Sequence, residues 1–187
     1  MNAVVEITAD HAWSGSRYID VMNPQPEDID PFEVATGLSR EPRYGGACTT
    51  IFWSVAQHSL VCEQFARQDG IEDRDVLLAI LLHDAPEYML RDLIRPVKRN
   101  CPSYHVIESV WWAAVASRFG LPHEMPPEVK RYDDLALAAE KKGLISPRCG
   151  EWPGVPPAPG KTIPDEIHGL SMADARDYFL RRLDQLG

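Results

Sequence analysis

No run of apolar residues in this chain is long enough to span a bilayer. Its opening stretch, MNAVVEITADHAW, has no basic segment leading into an apolar one. Neither a membrane span nor a secretory signal is therefore expected, and the sequence reads as cytoplasmic. Cysteine is sparse: Cys48, Cys62, Cys101 and Cys149 stand far apart with no C-x-x-C pair. That spacing argues against a disulfide framework or a cysteine zinc site, and for scattered thiols in a reducing compartment. There is also no block of like charge, and the net charge is −9. A face for nucleic-acid polymers needs clustered Lys and Arg, so that partner class is excluded. A small phosphate ligand is not, because one cation and a few arginines reverse the field locally. Internal repeats and linker-like stretches are absent as well.

What is present is ordinary globular material: 187 residues, 44% hydrophobic and 25% charged. That length suits one core, so residues 1–187 are expected to form a single all-α helical bundle with a small N-terminal β element. The β element is read from AVVEI and RYIDV on either side of Trp13-Ser14-Gly15. Asp30 as cap and Pro31 at the first helical position open a helix that ends near Ser39. Arg43-Tyr44-Gly45-Gly46 reads as a turn. Helical patterns follow over 54–68, 75–84, 103–119 and 128–142. The second of these, VLLAILLH, is apolar all round and so belongs at the centre. On the third, Ile107, Val110, Trp111 and Val115 form the apolar stripe, and Gly120 stops it. Trp111 and Trp112 cannot both face one core, which leaves one of them for a contact with a second copy. Residues 145–165 are rich in Pro and Gly and read as an irregular loop, over the site or around the body. Ser171, with Asp174, opens the last helix, which buries Ala175, Tyr178, Phe179, Leu183 and Leu186.

Three helical faces carry polar groups where carbon is expected. His58 shares a face with Val55 and Cys62, His83-Asp84 ends the most apolar helix, and Asp133 interrupts the stripe of Val129, Tyr132, Ala136 and Leu137. A buried lone carboxylate costs several kcal/mol unless it is paired or bound to a cation. Two imidazoles and two carboxylates from separate helices offset that cost together around one divalent ion. Taken singly, each has an ordinary structural reading; their joint occurrence favours a metal. Glu87 stands one turn beyond His83, and Asp92 follows in a stretch that also holds Arg91, Arg95 and Lys98. Such acids can move protons and such bases can contact phosphate.

Gln57-His58-Ser59, Leu82-His83-Asp84-Ala85-Pro86-Glu87, Asp92 with Pro96-Val97-Lys98, and Lys130-Arg131-Tyr132-Asp133 together resemble the HD-domain phosphohydrolases. The branch they look most like is that of the YfbR-type 5'-deoxynucleotidases and the phage enzymes that strip triphosphate from dATP. The similarity runs over residues 13–140 and includes Arg17-Tyr18-Ile19-Asp20 and Asn23-Pro24. The resemblance implies that His58, His83, Asp84 and Asp133 hold one divalent transition metal (Co, Mn, Zn, Fe or Ni). It implies acid/base and water-positioning roles for Glu87 and Asp92. Arg43 falls at the family's phosphate-binding arginine. Tyr44 takes the place of an aromatic residue, often Trp, that packs on the sugar and disfavours a 2'-hydroxyl. Lys98 is expected among the substrate contacts. Where many relatives have Gly-Gly-His, this chain has Gly45-Gly46-Ala47, so any role of that histidine is missing.

The expected activity is hydrolysis of deoxynucleoside monophosphates, with dNTP (dATP) triphosphohydrolysis as the alternative that uses the same ligands. Two other classes compete. A diiron oxygenase would recruit further histidines such as His105 and His123, which read better as surface residues. A non-catalytic nucleotide sensor would not need Glu87 and Asp92. Relatives are commonly homo-oligomers.

Overall fold

Asp30 sets the first helix. Its Oδ1 accepts from the backbone N–H groups of Phe32 and Glu33 at 2.8 and 3.0 Å, and Pro31 enters with its φ already helical. In the computed structural model, which describes residues 7–47, 49–153, 155 and 160–187, helix α1 runs over Pro31–Arg40 and stops before Pro42. Helix α2, Val55–Gln68, opens with a reciprocal cap: Gln57 N–H donates to Ser54 Oγ at 3.2 Å, and Ser54 N–H donates to Gln57 Oε1 at 3.0 Å. Asp73 caps α3, Arg74–Leu82, in which every residue from Leu77 to Leu82 is buried. This is the central helix that its all-round apolar sequence requires.

Three shorter or flanking pieces position the polar residues. After α3 the chain turns through residues 83–86 into α4, Glu87–Leu90, and then into α5, Arg95–Arg99. Helix α6, Pro102–Phe119, ends on Gly120 in the left-handed region (φ 69°), as the sequence reading expected. Helix α7 spans Pro127–Leu144 and α8 spans Met172–Leu186, with Ser171 accepting from Asp174 N–H at 3.2 Å. Helix α2 packs on α3 and α7, while α1 packs on α8 and α4. Gly37 makes the last of these possible: a Cβ there would lie 2.7 Å from Tyr88 Cβ, inside any tolerable contact. The architecture is thus a helical bundle with one small two-stranded sheet. Among the described residues no helix is long and apolar enough to cross a membrane.

The sheet pairs β1, His11–Trp13, with β2, Tyr18–Asp20, antiparallel around the turn closed by Ser14 N–H to Arg17 O at 2.9 Å. Its second strand lies within the expected RYIDV. Its first does not: the chain that pairs is His11–Trp13, and AVVEI falls outside the described residues except for exposed Ile7.

Two details of α6 and α8 also differ from expectation. Val110 is exposed rather than part of the stripe, and Trp111 and Trp112 are both buried. They manage this by facing different covers: Trp111 Nε1 donates to Val21 O at 2.9 Å, and Trp112 Nε1 to His123 O at 2.8 Å. The hairpin side takes one indole and the 121–126 loop the other, so neither is left over for a subunit contact. Tyr178 on α8 is only partly buried.

The loop over 145–165 takes both courses. Its start pairs Ile145 with Thr49, and Trp152 lies against Tyr44 with ring centroids 5.7 Å apart. Further on it follows the body: Lys161 Nζ binds Asp69 at 2.6 Å, and Ile167 O accepts from Gln57 Nε2 at 3.0 Å.

Candidate metal centre

Three segments bring the anticipated ligands to one place: α2 supplies His58, the α3–α4 turn His83 and Asp84, and α7 Asp133. His58 Nε2 lies 3.3 Å from Asp133 Oδ1 and 3.8 Å from Asp84 Oδ2, and His83 Nε2 lies 3.2 Å from Asp84 Oδ2. Donors that share an ion at about 2.0–2.2 Å sit about 3.0–3.4 Å apart at right-angled to tetrahedral bond angles. The two shorter distances fall in that range. His83 Nδ1 lies 2.8 Å from Ile80 O, which orients the ring, while its Nε2 is buried without a hydrogen-bond partner. A buried imidazole nitrogen that faces a carboxylate at 3.2 Å yet meets no hydrogen-bond geometry is what a shared cation would satisfy. His58, Cys62 and His83 also offer donor atoms all within 4.8 Å of one another, so this triad can hold a metal ion.

Charge points the same way. Arg43, on the 3-10 turn Arg43–Gly46, is the guanidinium amid these acids, with Nη1 3.5 Å from Asp84 and 3.6 Å from Asp92 and Nε 4.0 Å from Glu140. Burial acts to depress its pKa but is outweighed by Asp92, Glu140 and Asp84, which raise it. Burial likewise works against ionised Asp84 and Asp133; His83, Arg43 and His58 hold the first well below the usual carboxylate range, and His58 and His83 the second. For His58, burial and Arg43 are outweighed by Cys62, Glu140 and Asp133, and the ring is pushed up. Four carboxylates, Asp84, Asp92, Asp133 and Glu140, thus surround Arg43 and His58, an excess of acid over base that suits a cation.

The remaining predicted residues border this centre. Glu87 opens α4 and is buried, with Oε1 3.6 Å from Lys98 Nζ and Oε2 unpartnered. Burial first, then Asp84 and Asp92, raise its carboxyl well above the usual range despite Arg43 and Lys98. Asp92 faces inward and fixes the Arg43 turn, taking Arg43 Nη1 at 3.6 Å and the Tyr44 N–H at 3.3 Å. Tyr44 has φ 59°, a left-handed conformation that costs a non-glycine residue roughly 1–2 kcal/mol. Its N–H bond to Asp92 and its phenol, turned inward, hold it there. Lys98 faces the cleft but is engaged by Glu108 at 2.5 Å.

That cleft, of ≈460 Å³, is lined by His83, Asp84, Lys98, His105, Lys130 and Asp133 among others. Arg95 pairs with Asp133 and Asp134 at 3.1 and 3.3 Å; both are half-buried, and it is Asp133 that also reaches His58 Nε2. Arg91 does not join them. Glu41 takes its guanidinium at 3.3 Å and also accepts from Asp92 N–H at 3.1 Å, which turns Arg91 toward a separate cleft of ≈670 Å³ between the hairpin and α1. That larger cleft contains neither histidine nor the converging acids, so size does not mark the site. His105 and His123 are exposed.

Two residues of the centre were not anticipated. Glu140 is fully buried, its Oε1 2.7 Å from His58 Nδ1 and its Oε2 accepting from Tyr44 OH at 2.5 Å. Its signal was the helical repeat: it follows Asp133 by seven positions, on the face that Ala136 and Leu137 mark as inward. Cys62 is the other. Read as one of several scattered thiols, it instead points its Sγ at His58 Nε2 from 3.5 Å, one turn along the same helix, and burial pushes its pKa up to about 11.

No protein-family profile matches the chain. It is similar to an uncharacterized protein of Rhodobacter capsulatus, 43% identical over 127 residues that make up 64% of this chain and 64% of that protein. The chain thus covers somewhat less than two thirds of that relative's length. It is also similar to the uncharacterized protein YfdR of Escherichia coli, 31% identical over 169 residues, 90% of this chain and 89% of YfdR.

Proposed function

The chain belongs to the family of Escherichia coli YfdR, and for this member of it we propose a metal-dependent phosphohydrolase of the HD type that acts on deoxynucleoside 5'-monophosphates. The observation that carries the reading is the approach of His58, His83, Asp84 and Asp133 to within 3.2–3.8 Å of one another in three pairs, with His83 Nε2 buried and unpartnered. These four side chains would hold the ion through two nitrogens and two carboxylates, a mixed set that suits Co, Mn, Zn, Fe or Ni. A divalent ion there supplies Lewis acidity, which polarises a phosphoryl group and lowers the pKa of a nearby water.

The protein's own groups do the rest. Arg43, held behind the centre by Asp84 and Asp92, offsets charge that develops on the phosphoryl oxygens. Glu87, whose carboxyl is raised by burial and by Asp84 and Asp92, is the group proposed to donate a proton to the 5' oxygen as the phosphorus–oxygen bond breaks. A water molecule supplies the oxygen that replaces it, and the Glu87 carboxylate takes back a proton from that water. Asp92 acts by fixing Arg43 and Tyr44 rather than by moving the proton.

The cleft's cations favour the monophosphate. Lys98 and Lys130, the two lysines that line it, are already paired with Glu108 and Asp134. A triphosphate needs additional free positive charge. The test is a panel of deoxynucleoside mono- and triphosphates with each of the five metals, with products separated by chromatography. Inorganic phosphate from monophosphates is expected; release of intact triphosphate from dNTPs would move the assignment to the triphosphohydrolase. Nucleotide binding with no turnover under any metal would make the chain a sensor instead.

A further inference from the structure

We infer that Glu140 is a positioning residue that ties the metal centre to the Arg43–Tyr44 turn, so that metal affinity and nucleotide recognition are coupled through one buried carboxylate. The inference rests on the metal-site reading above and extends it to a residue outside the ligand set.

Each oxygen of Glu140 has its own task. Oε1 lies 2.7 Å from His58 Nδ1. A carboxylate can only accept, so the proton of a metal-ready, neutral His58 must reside on Nδ1 and leave the Nε2 lone pair free. Nε2 is the atom that faces Asp133 and Asp84. A carboxylate behind a ligand histidine in this way fixes its tautomer and ring orientation and makes it a better donor. Oε2 accepts from the Tyr44 phenol, and Arg43 Nε stands 4.0 Å from the same oxygen. One carboxylate therefore contacts a proposed ligand on one side and the Arg43–Tyr44 turn on the other. Coupling of this kind is reciprocal: the factor by which bound metal changes nucleotide affinity equals the factor by which bound nucleotide changes metal affinity.

The test uses the full-length protein and two variants chosen to keep its shape. Glu140→Gln preserves volume and an oxygen for His58 but removes the charge. Tyr44→Phe removes only the phenol. Zinc affinity is measured by titration calorimetry, folding by circular dichroism melts, and the His58 Nδ1–H by ¹⁵N-resolved proton spectra of the zinc form. Glu140→Gln is expected to bind zinc 10- to 100-fold more weakly, with the Nδ1–H resonance displaced upfield. Tyr44→Phe is expected to weaken zinc several-fold although Tyr44 touches no ligand. A folded Glu140→Gln with wild-type zinc affinity and an unmoved resonance overturns the inference. If that variant does not fold, Tyr44→Phe decides, and unchanged zinc affinity there overturns the coupling. A wild-type protein that takes up no zinc removes the metal reading itself, an outcome distinct from either variant result.

Discussion

Asp84→Ala is expected to lose metal and activity together: affinity down more than about 100-fold, beyond what loss of a supporting residue costs, and turnover down about 10³-fold or more. The activity figure follows from the several kcal/mol of charge stabilisation that a catalytic ion supplies, at about 1.4 kcal/mol per factor of ten. Asp84 is the hinge of the arrangement because its Oδ2 meets His83 at 3.2 Å, Arg43 at 3.5 Å and His58 at 3.8 Å. Metal uptake by calorimetry and phosphate release on the same preparation check both halves. A metal-free Asp84→Ala protein with full activity would end the hydrolase assignment as formulated.

Glu87→Gln separates chemistry from binding. Gln keeps the size and leaves the four ligands in place, so metal affinity should stay within a few-fold of wild type. Turnover should fall by about 10²–10⁴, the usual contribution of a positioned acid or base. The pH dependence carries the sign. Burial, Asp84 and Asp92 raise the Glu87 carboxyl, so the protonated form persists above the ordinary carboxylate range. If that proton goes to the leaving oxygen, kcat/KM is full below the raised pKa and declines as pH passes through it. The Gln variant, which has no such proton to give, should lack that alkaline decline. A wild-type profile that instead rises through the same region would make Glu87 a base in its ionised form, and Asp92 would return as the acid.

Much of this was legible in the residues because helices announce themselves twice, by caps and by apolar period. Asp30-Pro31, Gly120 and Ser171 each ended or began a helix where the structure has it. The convergence of His58, His83, Asp84 and Asp133 was legible for the same reason: a His or Asp on an apolar face stands out against a regular background. Period misplaced Val110 and Tyr178, and other errors came where it gives no guidance. The hairpin's first strand has three residues, too short for alternation to fix its place. Adjacent Trp111 and Trp112 point to different sides of α6, and only tertiary packing reveals a cover for each. Arg91 looked like a phosphate contact because it neighbours Asp92 in sequence. A left-handed backbone at Arg91 (φ 77°) instead sends the two side chains to opposite sides of the loop. Glu140 was missed although the period that exposed Asp133 continues onto it, because a carboxylate near a run of lysines passes for a solvated helix end.

The most direct test is the number of ions that the wild-type chain binds, measured by metal titration with the protein held at known concentration. One divalent ion per chain, with binding lost on mutation of His58, His83, Asp84 or Asp133 alike, is the result this account predicts. No specific uptake, two irons per chain, or one ion that survives loss of Asp133, would contradict it.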